Sequence, residues 1–461
     1  MRNIFYSLII LSLFSCSKDE PEKPNAAPET FEVTANADGT NVTLTWTEAA
    51  DPDGDPVTYA VVYGDTLVKG LIERTFTMKD LPYETQIVGV VIASDDRGGK
   101  VQAGFSIKTP EEPLAAGYVR IPDAAFEEYL VRKNIDDKVD GKLLKKSALS
   151  VKYMHDFGKN ITDLTGIEAF ENLEQIFLDN LGFKELDFSH NRNLKKISIT
   201  NSSNLKVLNI SGCAELEFLI AQGCGLEALD ISNNKKLAYL VLSENLLKGI
   251  DISKQRDLNL LSVDNNRITS LDLSENLKIE YLYVEGNSME NLDLSKNPEI
   301  IELYCNNNKL KRLDLLPNTA LTTLMGNGNP IEVINLPSQI NKIDISNTAL
   351  KNVDFSKLKD LEYLFITNLG LEIIDLSSNT KLAILEISMN KLSKIDLSKN
   401  VNITALFLRD NLLSALDLCN NSKLSTLHCE RNKLITILLP KNVTPGKLWD
   451  KDADASYKTC D

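Results

Sequence analysis

A leucine-like residue returns along most of this chain at a nearly fixed step: Leu173, Leu194, Leu216, Leu237, Leu258, Ile279, Ile300, Leu321, Ile340, Leu361, Leu382, Ile403 and Leu424. Most steps are 21 residues, as from Leu237 to Leu258 and on to Ile279. A unit so short cannot bury its own apolar face. Each turn must stack on its neighbours, and the stacked Leu and Ile side chains then share one continuous interior. Burial of each is worth about 1.5 to 3 kcal/mol. Residues 151–440 are therefore predicted to form a solenoid, opening on a degenerate turn that holds Val151, Met154, Ile161, Leu164 and Ile167.

Other positions repeat with the leucines. Asn245, Asn266, Asn287, Asn308, Asn329, Asn390, Asn411 and Asn432 share the place where the strand must bend. Their amides can bond neighbouring backbone groups that would otherwise be buried unpaired, so an asparagine ladder is predicted. Cys224 holds the same position, while Cys305 and Cys429 fall on inward strand positions, and all three read as buried free thiols. Cys213, Cys419 and Cys460 have no place in this scheme; an exported chain can form a disulfide among them, but spacing does not give the pairing. Asp187, Asp230, Asp251, Asp272, Asp293, Asp314, Asp354, Asp375, Asp396 and Asp417 form a second row. Stacked like charges repel by about 1 kcal/mol per pair even in water. Either each Asp accepts from the backbone of its own turn, as in an Asx-turn, or cations collect along the row. Calcium-binding β-rolls supply glycines here that this chain lacks, which favours the backbone explanation.

The unit reads LxxLxLxxNxLxxLDLSxN, as in "LNLLSVDNNRITSLDLSENLK" and "LAILEISMNKLSKIDLSKNVN". This pattern resembles the leucine-rich repeat, in a short form similar to that of bacterial internalin-like proteins. The resemblance implies a parallel sheet on the concave side, faced by the second, fourth and sixth residues after each leading leucine. Those places carry Phe177, Phe218, Tyr239, Tyr281, Tyr283, Tyr304, Tyr363, Phe365 and Phe407, with Asp264, Glu285, Asn306 and Arg409 on a polar flank. Exposed aromatics anchor protein partners or stack on sugar rings. They also make good strands and shield a sheet; the density of Tyr281, Tyr283 and Tyr304 favours binding. Upstream, residues 117–150 resemble the helical cap that precedes bacterial leucine-rich repeats, with Asp123 as N-cap and Phe126 and Leu130 on one face. Residues 441–461 are read as a C-terminal cap with Trp449 over the last turn.

Residues 26–110 change pattern, to short alternating runs separated by Gly, Pro and Asp turns, the spacing of a β-sandwich. "VTLTWTEAADPDGDPVTYAVVYG" resembles a fibronectin type III domain, with Trp46 on the second strand and Tyr59 on the third; Ile87 stands where the corner tyrosine of that family is expected. The Asp51, Asp53 and Asp55 loop is read as a tight turn rather than a calcium site. The fold class expected is mainly β: this sandwich, then the solenoid with its short helical cap.

The N-terminus sets the location. Ile4 to Phe14 is apolar, follows Arg2 and is shorter than the roughly 20 residues of a membrane span. Residues 1–15 are read as a signal peptide. Leu13-Phe14-Ser15-Cys16 resembles the lipobox of bacterial lipoproteins, which makes Cys16 the lipid anchor. Lys18-Asp19-Glu20 looks like the tag that sends some lipoproteins to the outer face of the outer membrane, and residues 16–25 form an acidic, proline-containing spacer.

A formal net charge of −15 excludes nucleic-acid phosphates as partners. His155, His190 and His428 are the only histidines, and no nucleophile elbow, phosphate loop or metal-spaced cluster accompanies them. The expectation is a monomeric, non-enzymatic surface lipoprotein without cofactor or metal, taking a protein or glycan on its concave face. The alternative is a structural or accessory lipoprotein docked onto an outer-membrane partner complex.

Overall fold

The computed structural model describes residues 23–460, so the stretch holding Cys16 lies outside the described residues. Two compact units are present, dividing between Ala115 and Ala116.

In the first unit the alternating runs become seven strands: β1 (Val33–Asp38), β2 (Asn41–Trp46), β3 (Thr58–Tyr63), β4 (Asp65–Leu71), β5 (Thr75–Met78), β6 (Gln86–Ser94) and β7 (Lys100–Lys108). They pair antiparallel into two small sheets, β1-β2-β5 and β4-β3-β6-β7. Alternation places Val42, Leu44 and Trp46 of β2 in one core with Tyr59, Val61, Ile87, Val91 and Phe105. Tyr59 keeps its polar tip satisfied by accepting from the Ala49 N–H at 2.9 Å. Ile87 is fully buried and holds no polar group for the corner. Thr109 does that work: its hydroxyl donates to the Pro82 carbonyl at 2.7 Å and accepts from the Thr85 N–H at 2.8 Å.

The second unit opens on an antiparallel pair, β8 (Tyr118–Arg120) with β9 (Lys142–Leu144), and the helix α1 (Ala124–Arg132) between them. Asp123 caps α1 by accepting from the Phe126 N–H at 2.9 Å, and its other oxygen accepts from the Thr162 and Asp163 N–H groups at 2.8 and 3.0 Å. One carboxylate therefore fixes both the helix start and the first solenoid turn. Phe126 and Leu130 point into the interior and close the open end of the stack. Glu127, buried beside them, accepts from three successive N–H groups, those of Asp140, Gly141 and Lys142, at 2.9 to 3.0 Å. The loop that sequence shows as a run of charges is thus wrapped around a buried carboxylate.

The solenoid's main wall is a parallel sheet of 15 strands in chain order, from Tyr153–Met154 to Trp449–Asp450. At about 4.8 Å per strand it runs on the order of 70 Å. Every leading Leu or Ile is buried in one core that reaches from Ile121 to Ala455. The opposite wall is mostly turns, with short parallel pairs such as Arg312–Asp314 with Val333–Asn335.

The asparagine ladder lies between the walls. Asn287 is typical: its amide donates to the Val263 and Val284 carbonyls at 2.9 and 3.1 Å, and its Oδ1 accepts from the Ile268 N–H at 3.0 Å. The preceding residue in each rung is left-handed, at φ between 53° and 62° for Glu244, Asn265, Asn307, Met389, Asp410 and Arg431, and Gly286 and Gly328 hold the same place. A second buried column, Asn234, Asn276, Asn297, Asn318, Asn379, Asn400 and Asn421, closes the far side of each turn. Asn297, for example, donates to the Leu273 and Asn276 carbonyls at 3.1 and 3.0 Å. Gln255 and Cys213 stand in for asparagine in this column and bond the equivalent carbonyls.

Both walls gain a strand after residue 440: Trp449–Asp450 extends the main sheet beside Leu427 and His428, and Ser456–Thr459 pairs with Thr436–Leu439. The His428 strand is therefore followed by one more. A disulfide between Cys419 and Cys460 ties the end of the Ser456–Thr459 strand to the turn after Ala415–Asp417, two strands back on the same wall. Cys213, Cys224, Cys305 and Cys429 are buried free thiols. Among the described residues no helix is long and apolar enough to cross a membrane.

Candidate functional site

On most strands of the main wall the central residue is buried and its two neighbours are half-buried, as in Tyr281–Tyr283, Tyr363–Phe365 and Ala405–Phe407; Ser262 and Thr323 are neighbours that are buried as well. Period-two alternation on a parallel sheet dictates this, because the inward residue enters the shared core and its neighbours face out. The aromatic residues read from sequence all take outward positions, and all but Tyr363 and Phe365 fall into three groups along the wall.

The first group is at the N-terminal end. Phe218 and Tyr239, paired in register, stack at 4.1 Å with their planes 9° apart. Lys196 of the preceding strand lies over this group, its ammonium 4.3 Å from the Phe218 ring centre and 5.3 Å from that of Phe177. A cation over the ring face is attracted by the ring quadrupole.

The central group consists of Tyr281, Tyr283 and Tyr304. Tyr283 and Tyr304 are register partners and meet edge-on at 5.0 Å and 67°, leaving an open corner, while Tyr281 is paired with Glu302. The Tyr283 hydroxyl donates to Glu302 Oε2 at 3.0 Å. Burial, then that hydrogen bond to a carboxylate, raises the Tyr283 hydroxyl above its ordinary range.

Beside the tyrosines runs a polar spine. Ser262 Oγ donates to Asp264 Oδ2 at 2.8 Å, the Glu285 N–H donates to Asp264 Oδ1 at 3.0 Å, and Asn306 Nδ2 donates to Glu285 Oε2 at 2.9 Å. Asn327 continues it, its N–H bonding Asn306 Oδ1 at 3.0 Å and its amide Asp344 Oδ2 at 2.7 Å. Burial raises the Asp264 carboxyl, only partly opposed by its bond from Ser262. This hydrogen-bonded row does not show as a unit in the sequence, although Asp264, Glu285, Asn306 and Asn327 each fall at the sixth position of their rungs and Ser262 and Asp344 at the fourth. Tyr363 and Phe365 lie one strand beyond it, in register with Lys342 and Asp344.

At the C-terminal end Phe407 stacks on His428 at 5.2 Å and 7°. The Arg409 guanidinium lies among three groups: Glu430 at 2.6 Å, His428 Nδ1 at 2.7 Å and Asp450 at 3.6 Å. His428, Glu430 and Asp450 have metal-ligand spacing, but Arg409 already supplies the positive charge between them. His428 Nδ1 also lies 2.7 Å from Asp450, so it either accepts from Arg409 or donates to Asp450.

The Asp row proves to be backbone chemistry. Asp230, Asp251, Asp272 and Asp293 each accept from the N–H of the serine two residues on at 2.9 Å. Those bonds hold their carboxyls below the usual range. In the first unit Asp51 likewise accepts from the Asp53 and Asp55 N–H groups at 2.9 and 3.2 Å, the bonds of a tight turn.

The histidines are held by local partners. His155 contacts Asp156 at 2.6 Å, and His190 contacts its sequence neighbour Ser189 at 3.2 Å on an exposed turn. Burial pushes the Cys213, Cys305 and Cys429 thiols up to about 12 and that of Cys224 to about 11, far from the reactive thiolate range.

The sequence matches no protein-family model and no curated protein. Solved structures do resemble it. The functional domain of InlJ from Listeria monocytogenes, described as including a cysteine ladder, superposes with a TM-score of 0.59 at 25% identity, over 71% of this chain and 78% of that one. The APL1 leucine-rich-repeat domain superposes with a TM-score of 0.50 at 16% identity, over 67% of this chain and 82% of that one. The second unit thus has the leucine-rich-repeat fold, and the solved structures it resembles include an internalin-type leucine-rich-repeat domain.

Proposed function

We propose that this chain is a lipid-anchored recognition protein of the bacterial outer membrane, exposed at the cell surface, which holds a protein or glycan ligand on the main wall of its solenoid. In this reading Cys16 carries the lipid after residues 1–15 are removed, the spacer and a fibronectin type III-like sandwich lift the solenoid from the membrane, and the chain acts as a monomer without catalysis. The seven antiparallel strands of the first unit, in a three-plus-four arrangement, support the sandwich assignment. One observation carries the functional part. Phe218, Tyr239, Tyr281, Tyr283, Tyr304, Tyr363, Phe365 and Phe407 all stand half-buried on the outward side of a rigid sheet whose own core is complete without them. Large amphipathic rings with few rotatable bonds, held in place by a scaffold, lose little entropy on binding.

The test is to replace Tyr281, Tyr283 and Tyr304 together by alanine. Binding to the cells or glycans recognised by the parent protein is expected to be lost, with the melting temperature within a few degrees of the parent's. Unaltered binding would discard the concave site. Metabolic labelling with a radioactive fatty acid, lost in Cys16→Ser, checks the anchor separately.

A further inference from the structure

Building on the proposed concave site, we infer that its central tyrosine group receives a positively charged side chain, the arginine or lysine of a basic segment on a partner protein. The argument begins with what the same wall does elsewhere. At its N-terminal end the aromatic group is covered by the chain's own Lys196, 4.3 Å above Phe218. At its C-terminal end the acidic group is filled by the chain's own Arg409, 2.6 Å from Glu430 and 3.6 Å from Asp450. Both ends are satisfied internally by a cation.

The middle has the same chemistry and, at the described outward places of its strands, no Lys or Arg of its own. Across the five strands from Tyr239 to Asn327, the second, fourth and sixth places hold Tyr239, Val241, Ser243, then Leu260, Ser262, Asp264, then Tyr281, Tyr283, Glu285, then Glu302, Tyr304, Asn306, and last Thr323, Met325, Asn327. Three are carboxylates and none is Lys or Arg. The edge-on meeting of Tyr283 and Tyr304 offers one ring face beside another ring's edge, with Glu302 bonded to the Tyr283 hydroxyl and Glu285 in the neighbouring spine. That hydrogen bond to a carboxylate increases the electron density of the Tyr283 ring, which strengthens its attraction for a cation. Glu285 and Asp264 are each held by donors, so they are fixed in place and need not be reorganised when a charge arrives. A guanidinium suits this corner best, because its plane lies flat on an aromatic face while its edge reaches a carboxylate. A neutral glycan would stack on the rings and donate hydroxyls to the acids, but it would leave their three charges uncompensated.

The experiment uses the full chain and three probes: a fluorescein-labelled octa-arginine peptide, an octa-glutamate peptide, and a neutral cello-oligosaccharide, read by fluorescence anisotropy. Octa-arginine is expected to bind and octa-glutamate not. Glu302→Gln, which preserves an acceptor for Tyr283, and Tyr281→Ala should each weaken octa-arginine at least tenfold. Asp272→Asn removes the same unit of charge from the other wall and should change binding less than twofold. An equal loss in Asp272→Asn and Glu302→Gln overturns the proposal, since net charge alone would then explain binding. So does an absence of octa-arginine binding. In that case, oligosaccharide binding that disappears in Tyr281→Ala would leave the concave site standing with a different ligand, whereas binding unaffected by Tyr281→Ala would remove the site as well. Melting curves of all three variants accompany the titrations, and Tyr281→Ala, which donates no hydrogen bond within the spine, serves if Glu302→Gln melts early.

Discussion

The two walls of the solenoid are made by one repeat, yet they differ in how much they vary from rung to rung. On the opposite wall the same bond recurs from rung to rung: Asp230, Asp251, Asp272, Asp293, Asp354, Asp375 and Asp396 each accept from the N–H two residues on at 2.9 Å. On the main wall the residue two places after each leading leucine changes from Tyr239 to Leu260, Tyr281, Glu302, Thr323, Lys342, Tyr363, Ile384 and Ala405. Uniform positions satisfy backbone groups that every turn leaves open. Varied positions face outward from a sheet already held by its core, so their side chains are released from that duty and give the wall local character. Within a single chain, repetition marks support, and variation marks the positions released from it.

The sharpest way to break this comparison is to disturb a uniform interior position. Asn287→Ala leaves the Val263 and Val284 carbonyls and the Ile268 N–H without their side-chain partner. The expected cost is about 4 kcal/mol, read by urea denaturation; a loss below about 1 kcal/mol would mean that the ladder is ornamental. Next in size is the disulfide. Cys419 and Cys460 are 41 residues apart, a closure expected to stabilise by about 3 kcal/mol. Cys460→Ser should speed hydrogen exchange in the last rungs and leave those near α1 unchanged, because solenoid turns contact only their neighbours.

Smaller and of opposite sign is Met389→Gly. Met389 sits at φ 58°, in a column otherwise filled largely by Asn and Gly. Releasing a side chain from the left-handed region should raise stability by about 1 kcal/mol, measured by thermal melting. Substitution at either wall's carboxylates gives the smallest effect and the finest contrast. Backbone hydrogen bonds hold the Asp230, Asp251, Asp272, Asp293, Asp375 and Asp396 carboxyls below the ordinary aspartate value of 3.8. Their stabilisation is full above that value and is lost as pH falls through the lower folded values. Asp264 works the other way: burial raises its carboxyl above 3.8, so its ionisation opposes folding and the penalty is relieved as pH falls through the raised value. Asp272→Ala should therefore lower the melting temperature at neutral pH and flatten its acid decline, whereas Asp264→Asn should raise it. Calcium is expected to move neither curve, and a calcium-dependent rise lost in Asp272→Ala would overturn the Asx-turn assignment.

Much of this was legible beforehand, for reasons that differ by position. The leading leucines, the ladder from Asn245 to Asn432 and the Asx-turn aspartates were readable because each recurs with the step of the fold, so one physical requirement is written many times. The outward aromatics followed from the same count. The second asparagine column shares that step and was present in the template, but periodicity alone does not tell a buried amide from an exposed one; only packing showed Asn276 and Asn297 to be fully enclosed. Glu127 was hidden for the opposite reason. It occurs once, in a helix whose polar residues look solvated, and the three N–H groups it holds come from a loop 13 to 15 residues away.

The sequence by itself determined the solenoid, its interior ladders and the outward placement of the aromatic side chains, because a periodic chain has one way to bury its periodic apolar face. Tertiary structure alone decided which partners meet across rungs. It paired Cys419 with Cys460 and left Cys213 buried and free, tied Thr109 to the loop at Pro82, laid Lys196 over Phe218, and set Arg409 between Glu430 and Asp450. Such meetings depend on distances between residues about one turn or more apart, and on which side chain reaches across first. A linear pattern sets which face a residue takes, while only the stacked coil sets what it touches.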